Sequence, residues 1–263
     1  MNLNQPVLFV PHGAPTFALR PGAAGAALVA KAATLALPRA IVIVSAHWDT
    51  AVPTVGFAEK LETIHDFWGF PEALYAIRYP ATGCPEASRE VVAAIAAAGL
   101  PVATDATRGL DHGAWVPLRL MFPDAEVPVI PLSVQSRGGA EQAYRLGQAL
   151  APLAAKGFLI IGSGSITHNL RDYQGAWQNG GQTPAYVREF ADWLADQTTA
   201  SCGASAVPAC TIDAQLMRAR AVLRPATRPV RHFSVISLPF TSITIRSPGS
   251  RLHHTRKIGR AHV

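Results

Sequence analysis

Five of the nine histidines in this chain stand in or beside short apolar runs of the kind that form buried strands. Neutral imidazole is the commonest side chain that binds transition metals in proteins. In an α/β protein, residues at the carboxyl ends of parallel strands meet at one edge of the sheet. The five are His12, His47, His112, His168 and His232. Their placement predicts a mononuclear metal site assembled from distant parts of the sequence.

The neighbours of His12 and His47 favour both as ligands. Pro11 and Gly13 flank His12, and a fixed φ beside a permissive glycine would hold the imidazole in one direction. Asp49 follows His47 closely and is expected to accept a hydrogen bond from its second ring nitrogen, as metal-binding histidines require. For either residue alone, a purely structural histidine remains the alternative.

His168 lies in the string GSGSITHNL, which also holds two glycines. Gly162 and Gly164 would let Ser163, Ser165 and His168 approach a small ligand closely. A nucleotide-binding loop is not favoured, because the third glycine of a dinucleotide fingerprint and any Gly-Lys-Ser/Thr are missing from the sequence.

Two further histidines are candidates for contact with a substrate. His112 stands beside Asp111, and because imidazole titrates near neutral pH it could bind a substrate oxygen or transfer a proton. His65, Phe67 and Trp68 belong to an aromatic-rich loop that could form one wall of a site for an aromatic ligand, although a packed surface loop is the alternative. Motifs of zinc proteases, serine hydrolases and EF-hands do not occur in the sequence.

Apolar runs and Ala-rich helical segments alternate along the chain. This alternation predicts a single α/β domain whose central sheet, mostly parallel or mixed, is covered by helices on both faces. Strands are predicted over 6–10, 40–46, 127–133 and 157–161, and helices over 23–36, 85–99, 140–156 and 184–197.

Length and composition fit one large domain outside the membrane. The chain has 263 residues, of which 49% are hydrophobic, but no apolar stretch reaches the roughly 20 residues of a membrane span. Because the first residues also lack the pattern of a secretory signal, a soluble, cytoplasmic protein is expected. The three cysteines form no C-x-x-C pair, so imidazole or carboxylate is expected to bind any metal.

The strings PHGAP, SAHW, TIHDFWGFP, GLDHGAW and GSGSITHNL, in this order and spacing, resemble class III extradiol ring-cleaving dioxygenases of the 4,5-DOPA dioxygenase-like branch. The resemblance covers residues 6–217. It implies one non-heme Fe(II), with Zn(II) as another occupant, bound by His12, His47 and His232. His168 would be a further ligand or the acid/base.

The same resemblance implies the reaction. A small catechol, such as DOPA, would be opened by O₂ beside its diol to give a muconic semialdehyde. His112 would steady the bound oxygen or a substrate hydroxyl. A zinc-dependent hydrolase and a non-catalytic metal-binding relative of the same fold are the alternatives.

The last part of the chain departs from this family pattern. Residues 218–263 carry 10 Lys and Arg and no acid, whereas residues 1–217 carry 13 Lys and Arg against 17 Asp and Glu. The net charge of +6 therefore belongs to the tail, and nucleic acid is not an expected partner. We expect a catalytic domain over 1–217 and an atypical basic segment over 218–263 that carries His232, with a reading-frame change or sequence error as a hypothesis for its origin.

Overall fold

A six-stranded sheet organises the protein. The computed structural model describes residues 4–172 and 183–202. The strands are β1 (Val7–Pro11), β2 (Ala40–Asp49), β3 (Thr54–Gly56), β4 (Ala103–Asp105), β5 (Val129–Val134) and β6 (Phe158–Gly164). Their order across the sheet is β1-β6-β2-β5-β3-β4.

Four neighbouring strands of the sheet are parallel. β1 pairs with β6, β6 with β2, and β2 with β5 in this sense, whereas β3 meets β5 antiparallel and pairs in parallel with β4. In register, Pro11 lies beside Gly164, and Ser45 lies beside Ser163. The carboxyl ends of β1, β6 and β2 therefore lie side by side at one edge of the sheet.

Helices cover both faces. The α-helices whose bounds lie within the described residues are α1 (Gly22–Ala32), α2 (Glu72–Tyr75), α3 (Pro85–Ala97), α4 (His112–Met121), α5 (Gly139–Ala154) and α6 (Ala185–Cys202). Along β2, Ile41 and Ile43 join the buried cluster under α1 and α4, while Ala40 and Val42 join the cluster under α3 and α5. A strand that is apolar on both faces needs cover on both, and this arrangement confirms the predicted fold class.

The predicted strands and helices are all present, with ends shifted by a few residues. β2 runs on to Asp49, so His47 lies within a strand and not after it. The strands β3 and β4 and the helices α2 and α4 were not predicted. His112, expected at the end of a strand or in a turn, is instead the first residue of α4. In the described ranges, no helix combines the length and the apolar character that a membrane span needs.

Candidate metal centre

Three imidazoles meet at the carboxyl edge of the sheet. His12 directly follows β1, His47 lies near the end of β2, and His112 begins α4. One ring nitrogen from each lies within 4.8 Å of those of the other two, and the Nε2 atoms of His12 and His47 are 3.1 Å apart. Three nitrogen donors in such a cluster form a donor set that suits Fe, Cu, Ni or Zn.

The cluster has a buried floor and an open side. The whole residue His12 is 3% exposed and the side chain of His112 is 6% exposed, whereas the side chain of His47 is 31% exposed. A ligand could therefore reach the imidazoles from the side of His47.

Ser163 of β6 fixes the orientation of His12. Nδ1 of His12 is 2.9 Å from the Ser163 hydroxyl oxygen, and that hydroxyl donates its own hydrogen to the carbonyl of Gly113. Because the hydroxyl has one hydrogen and uses it on the carbonyl, it accepts from Nδ1–H of His12. Nε2 of a neutral His12 then carries the lone pair, as a metal ligand must.

Asp66, in the loop between β3 and α2, contacts the other two imidazoles. Its Oδ1 accepts hydrogen bonds from Nδ1 of His112 at 2.9 Å and from the His112 backbone N–H at 2.8 Å. Its Oδ2 lies 3.4 Å from Nδ1 of His47. Asp49, the acceptor expected for His47, instead accepts from the backbone N–H and hydroxyl of Ser136.

The charges of these groups favour a neutral His47 beside an ionised Asp66. Burial lowers the pKa of His47, and the neighbouring His112 and His168 lower it further, against the opposing effect of Asp66 and Asp111. Burial would raise the pKa of Asp66, but its hydrogen bonds with His112 and its electrostatic interactions with His112 and His47 outweigh this and lower the pKa to about 2. A neutral imidazole is the form that binds a metal.

The first turn of α4 is fixed to β2 by a buried carboxylate. Asp111 caps the helix by accepting from the N–H of Ala114 at 3.2 Å, and it also accepts from the Ser45 hydroxyl at 2.5 Å and from Arg108 at 2.5 Å. Asp111 is 2% exposed, so its negative charge relies on Arg108. These contacts fix the position of His112, the residue that follows.

The other two predicted ligands are His168 and His232. His168 stands in the loop after β6, is exposed, and is not a member of the three-imidazole cluster, although it is close enough to affect the pKa of His47. His232 lies outside the described residues. The assignment of both as ligands stays a prediction.

The aromatic loop borders the cluster through one of its three candidate residues. The ring centroid of Phe67 is 5.7 Å from that of His112. His65 faces the fold, since its Nε2 donates to the carbonyl of Ile77 at 3.2 Å and its ring lies 5.9 Å from that of Trp115. Trp68 is 86% exposed. Of these three candidate residues, Phe67 is therefore the one that lies against an imidazole of the cluster.

Sequence reasoning missed Asp66 and the place of His112 in the three-imidazole cluster. Asp66 is adjacent to the predicted loop residues His65 and Phe67, but its partner His112 is 46 positions away, so no local pattern marks it. The signal for α4 was present, because Asp111 is an N-cap residue placed before an apolar run.

Comparisons with known proteins identify the family of this chain. The model of the family "Catalytic LigB subunit of aromatic ring-opening dioxygenase" matches residues 21–203. A 4,5-DOPA dioxygenase extradiol from Beta vulgaris is 53% identical over 132 residues, which are 50% of this chain and 49% of that protein. A 4,5-DOPA dioxygenase extradiol from Escherichia coli (strain K12) is 37% identical over 191 residues, 72% of this chain and 69% of that one.

A solved structure is also similar. The uncharacterized protein JW3007 from Escherichia coli K12 superimposes with a TM-score of 0.55 at 27% sequence identity, covering 75% of this chain and 80% of that chain. The chain spans about half to three-fifths of the length of its plant relatives. The family match extends over most of the chain, and the relatives agree with the branch that the histidine motifs indicate. The chain therefore belongs to the LigB family of aromatic ring-opening dioxygenases, in the 4,5-DOPA dioxygenase-like branch, which confirms the family predicted from its motifs.

Proposed function

We propose that this protein is a metal-dependent extradiol dioxygenase that opens a catechol ring with O₂ to a muconic semialdehyde. The observation that carries the proposal is the cluster of His12, His47 and His112 at the carboxyl edge of the sheet, in a chain of this family. The substrate proposed is a DOPA-like catechol, because the relatives are named for DOPA.

The residues of the cluster suit a divalent metal. His12 and His47 are the proposed ligands, His112 offers a third nitrogen, and the sequence adds His168 and His232. We propose Fe(II) for activity, with Zn(II) as an ion that the same imidazoles would bind. Such an ion would supply Lewis-acid binding of the two catechol oxygens and, as Fe(II), redox chemistry with O₂.

The protein's own residues would handle the protons and the substrate ring. Ring opening places both oxygen atoms of O₂ in the product and breaks the ring bond beside the diol, so no external reductant is needed. His168, which is exposed and affects the pKa of His47, is the proposed base for a catechol proton and the acid that returns it. His112 presents Nε2 to the site, because Asp66 occupies its Nδ1. It can ligate the ion or accept a hydrogen bond from a substrate hydroxyl.

An aromatic wall supports an aromatic substrate. Phe67 lies against His112, and the exposed Trp68 follows it in the chain. We propose that Phe67 and Trp68 contact the catechol ring and that His65 stabilises this loop from behind. The catalytic domain is proposed to comprise residues 1–217, with 218–263 as the basic segment that carries His232.

Oxygen uptake tests the proposed reaction. Metal-free protein is loaded with Fe(II) under anaerobic conditions and mixed with aerated catechols that include DOPA, while O₂ and the visible absorbance of a semialdehyde are followed. We expect O₂ uptake and colour in equal amounts, and neither in the His12→Ala/His47→Ala double variant. Metal binding without O₂ uptake with any catechol would refute the dioxygenase and favour a hydrolase or a binding protein.

A further inference from the structure

One carboxylate contacts two imidazoles of the candidate metal centre. Oδ1 of Asp66 accepts two hydrogen bonds from His112, and Oδ2 lies 3.4 Å from Nδ1 of His47. At 3.4 Å the second contact is an electrostatic contact between the carboxylate and the ring nitrogen, longer than a usual hydrogen bond. The side chain of Asp66 is 23% exposed, so the protein shields most of it from water.

An ionised carboxylate can only accept hydrogen bonds. A neutral imidazole has one ring hydrogen, on either Nδ1 or Nε2. Where Nδ1 faces a carboxylate, the hydrogen belongs on Nδ1 and the lone pair on Nε2. The same rule applies to His47 and His112, because both turn Nδ1 toward Asp66.

We propose that Asp66 is a positioning residue that sets the tautomers of His47 and His112 together, so that both present an Nε2 lone pair to the metal. The proposal deepens the proposed function and rests on it for the assignment of the cluster as a metal site. His12 does not depend on Asp66, since its Nδ1 uses Ser163. Two separate acceptors, one carboxylate and one hydroxyl, thus orient the three imidazoles.

The variant Asp66→Asn gives a sharp test. It preserves the shape of the side chain but replaces one carboxylate oxygen by an NH₂ group, which only donates. The imidazole that faces this group must turn a lone pair toward it and carry its hydrogen on Nε2. One of the two ligands is then lost without a change in side-chain size.

The direct readout needs no substrate and no turnover. It uses Zn(II)-loaded protein labelled with ¹⁵N-histidine, because the Nε2 atoms of His12 and His47 are 3.1 Å apart and would share a hydrogen without an ion between them. Long-range ¹H–¹⁵N correlation at pH 8 reports which ring nitrogen carries the hydrogen. His47→Gln and His112→Gln assign the signals. We expect Nδ1–H on both residues in the wild type, and Nε2–H on one of them in Asp66→Asn. Nε2–H on either residue in the wild type would overturn the proposal, whether or not Asp66→Asn folds.

Zinc affinity is the second readout. Titration of Zn(II) against a chromogenic chelator should give a Kd about 10- to 100-fold higher for Asp66→Asn than for the wild type. Asp105→Asn is the matched control, since Asp105 also accepts backbone hydrogen bonds, from Thr107 and Arg108, but belongs to no contact of the cluster. In Asp105→Asn, the tautomers of His47 and His112 and the zinc Kd should match those of the wild type. An equal Kd for Asp66→Asn and the wild type would also contradict the proposal.

The experiments can refute the dioxygenase assignment and the role of Asp66 independently. If the tautomers switch as expected but the Fe(II)-loaded wild type consumes no O₂ with any catechol, the role of Asp66 stands and the dioxygenase assignment falls. If O₂ is consumed but Asp66→Asn changes neither tautomers nor Kd, the dioxygenase assignment stands and the role of Asp66 falls.

Discussion

At the scale of single residues, the hydrogen on Nδ1 decides whether a histidine of this cluster can bind a metal. Ser163→Ala removes the acceptor of His12, a residue too deeply buried for water to replace it. We expect the Zn(II) Kd to rise about tenfold, measured by chelator competition. Ser88→Ala is the control, because Ser88 is an equally buried serine that donates to the Gly56 carbonyl. It should lower stability and leave the Kd unchanged, and an unchanged Kd in Ser163→Ala would contradict the prediction.

A second prediction at the scale of single residues concerns His168, the proposed acid/base. It lies outside the three-imidazole cluster, so His168→Ala should retain the metal. Loss of an acid/base typically lowers turnover by about 10²- to 10⁴-fold, and we expect kcat to fall within this range. Metal content by elemental analysis and kcat by O₂ uptake are measured on the same preparation. Loss of the metal would make His168 a ligand, and an unchanged kcat would remove it from the mechanism.

The lowered pKa of His47 predicts a pH dependence of stability in the metal-free protein. Just below pH 6.5 the unfolded chain binds a proton at His47 more readily than the folded protein does, because burial and His112 disfavour the charged form. The free energy of unfolding should therefore decrease as the pH falls through this window. His47→Gln cannot titrate and should lose less stability over the same range. Urea unfolding of both proteins at pH 7.5, 6.5 and 5.5 measures this, and parallel curves would contradict it.

At the scale of elements, the close approach of α4 to β2 sets the distance between His47 and His112. Gly113 permits this approach, because a Cβ there would overlap the Ser45 hydroxyl and come within 2.9 Å of Cδ2 of His47. Gly113→Ala must push the helix from the strand. We expect it to cost about 1–3 kcal/mol of unfolding free energy, as other overpacking substitutions do, and to weaken Zn(II) binding.

Gly162→Ala is the matched control for this prediction. Its Cβ would meet only Cδ2 of Phe9 at 3.3 Å and the Leu8 carbonyl oxygen at 3.9 Å, and the ring of Phe9 can move. Urea unfolding and zinc titration of both variants make the comparison. A Gly113→Ala protein that binds zinc as tightly as the wild type would show that the helix–strand distance does not determine the site.

Elements with a strong local pattern could be predicted from the sequence, and those formed by distant pairing could not. The apolar run over 40–46 is β-branched and buried on both faces, which is enough to identify β2. β3 and β4 have three residues each and pair with one another, and β3 also pairs with β5. The helix α4 contains Pro117 and is buried along most of its length, so it lacks the polar face that marks a surface helix.

At the scale of the whole molecule, the sheet topology explains why the site could be predicted only in part. Parallel strands bring His12 and His47 together, and the strand-end pattern indicated both. His112 arrives through the packing of α4, and Asp66 through a loop on the same side. These placements depend on tertiary contacts over tens of residues, which leave no periodic signal in the sequence.

Because the proposed ligands come from distant elements, metal binding should stabilise the entire fold. Zn(II) at 100 times its Kd would add about 2.7 kcal/mol to the unfolding free energy, since the unfolded chain has no assembled site. For a domain of this size that corresponds to a rise in Tm of about 5–10 °C. We would compare the Tm of metal-free protein with and without Zn(II), and expect no rise in the His12→Ala/His47→Ala double variant. A rise of equal size in that variant would mean that zinc binds elsewhere. A rise confined to the wild type would link the cluster of His12, His47 and His112 to the stability of the whole domain.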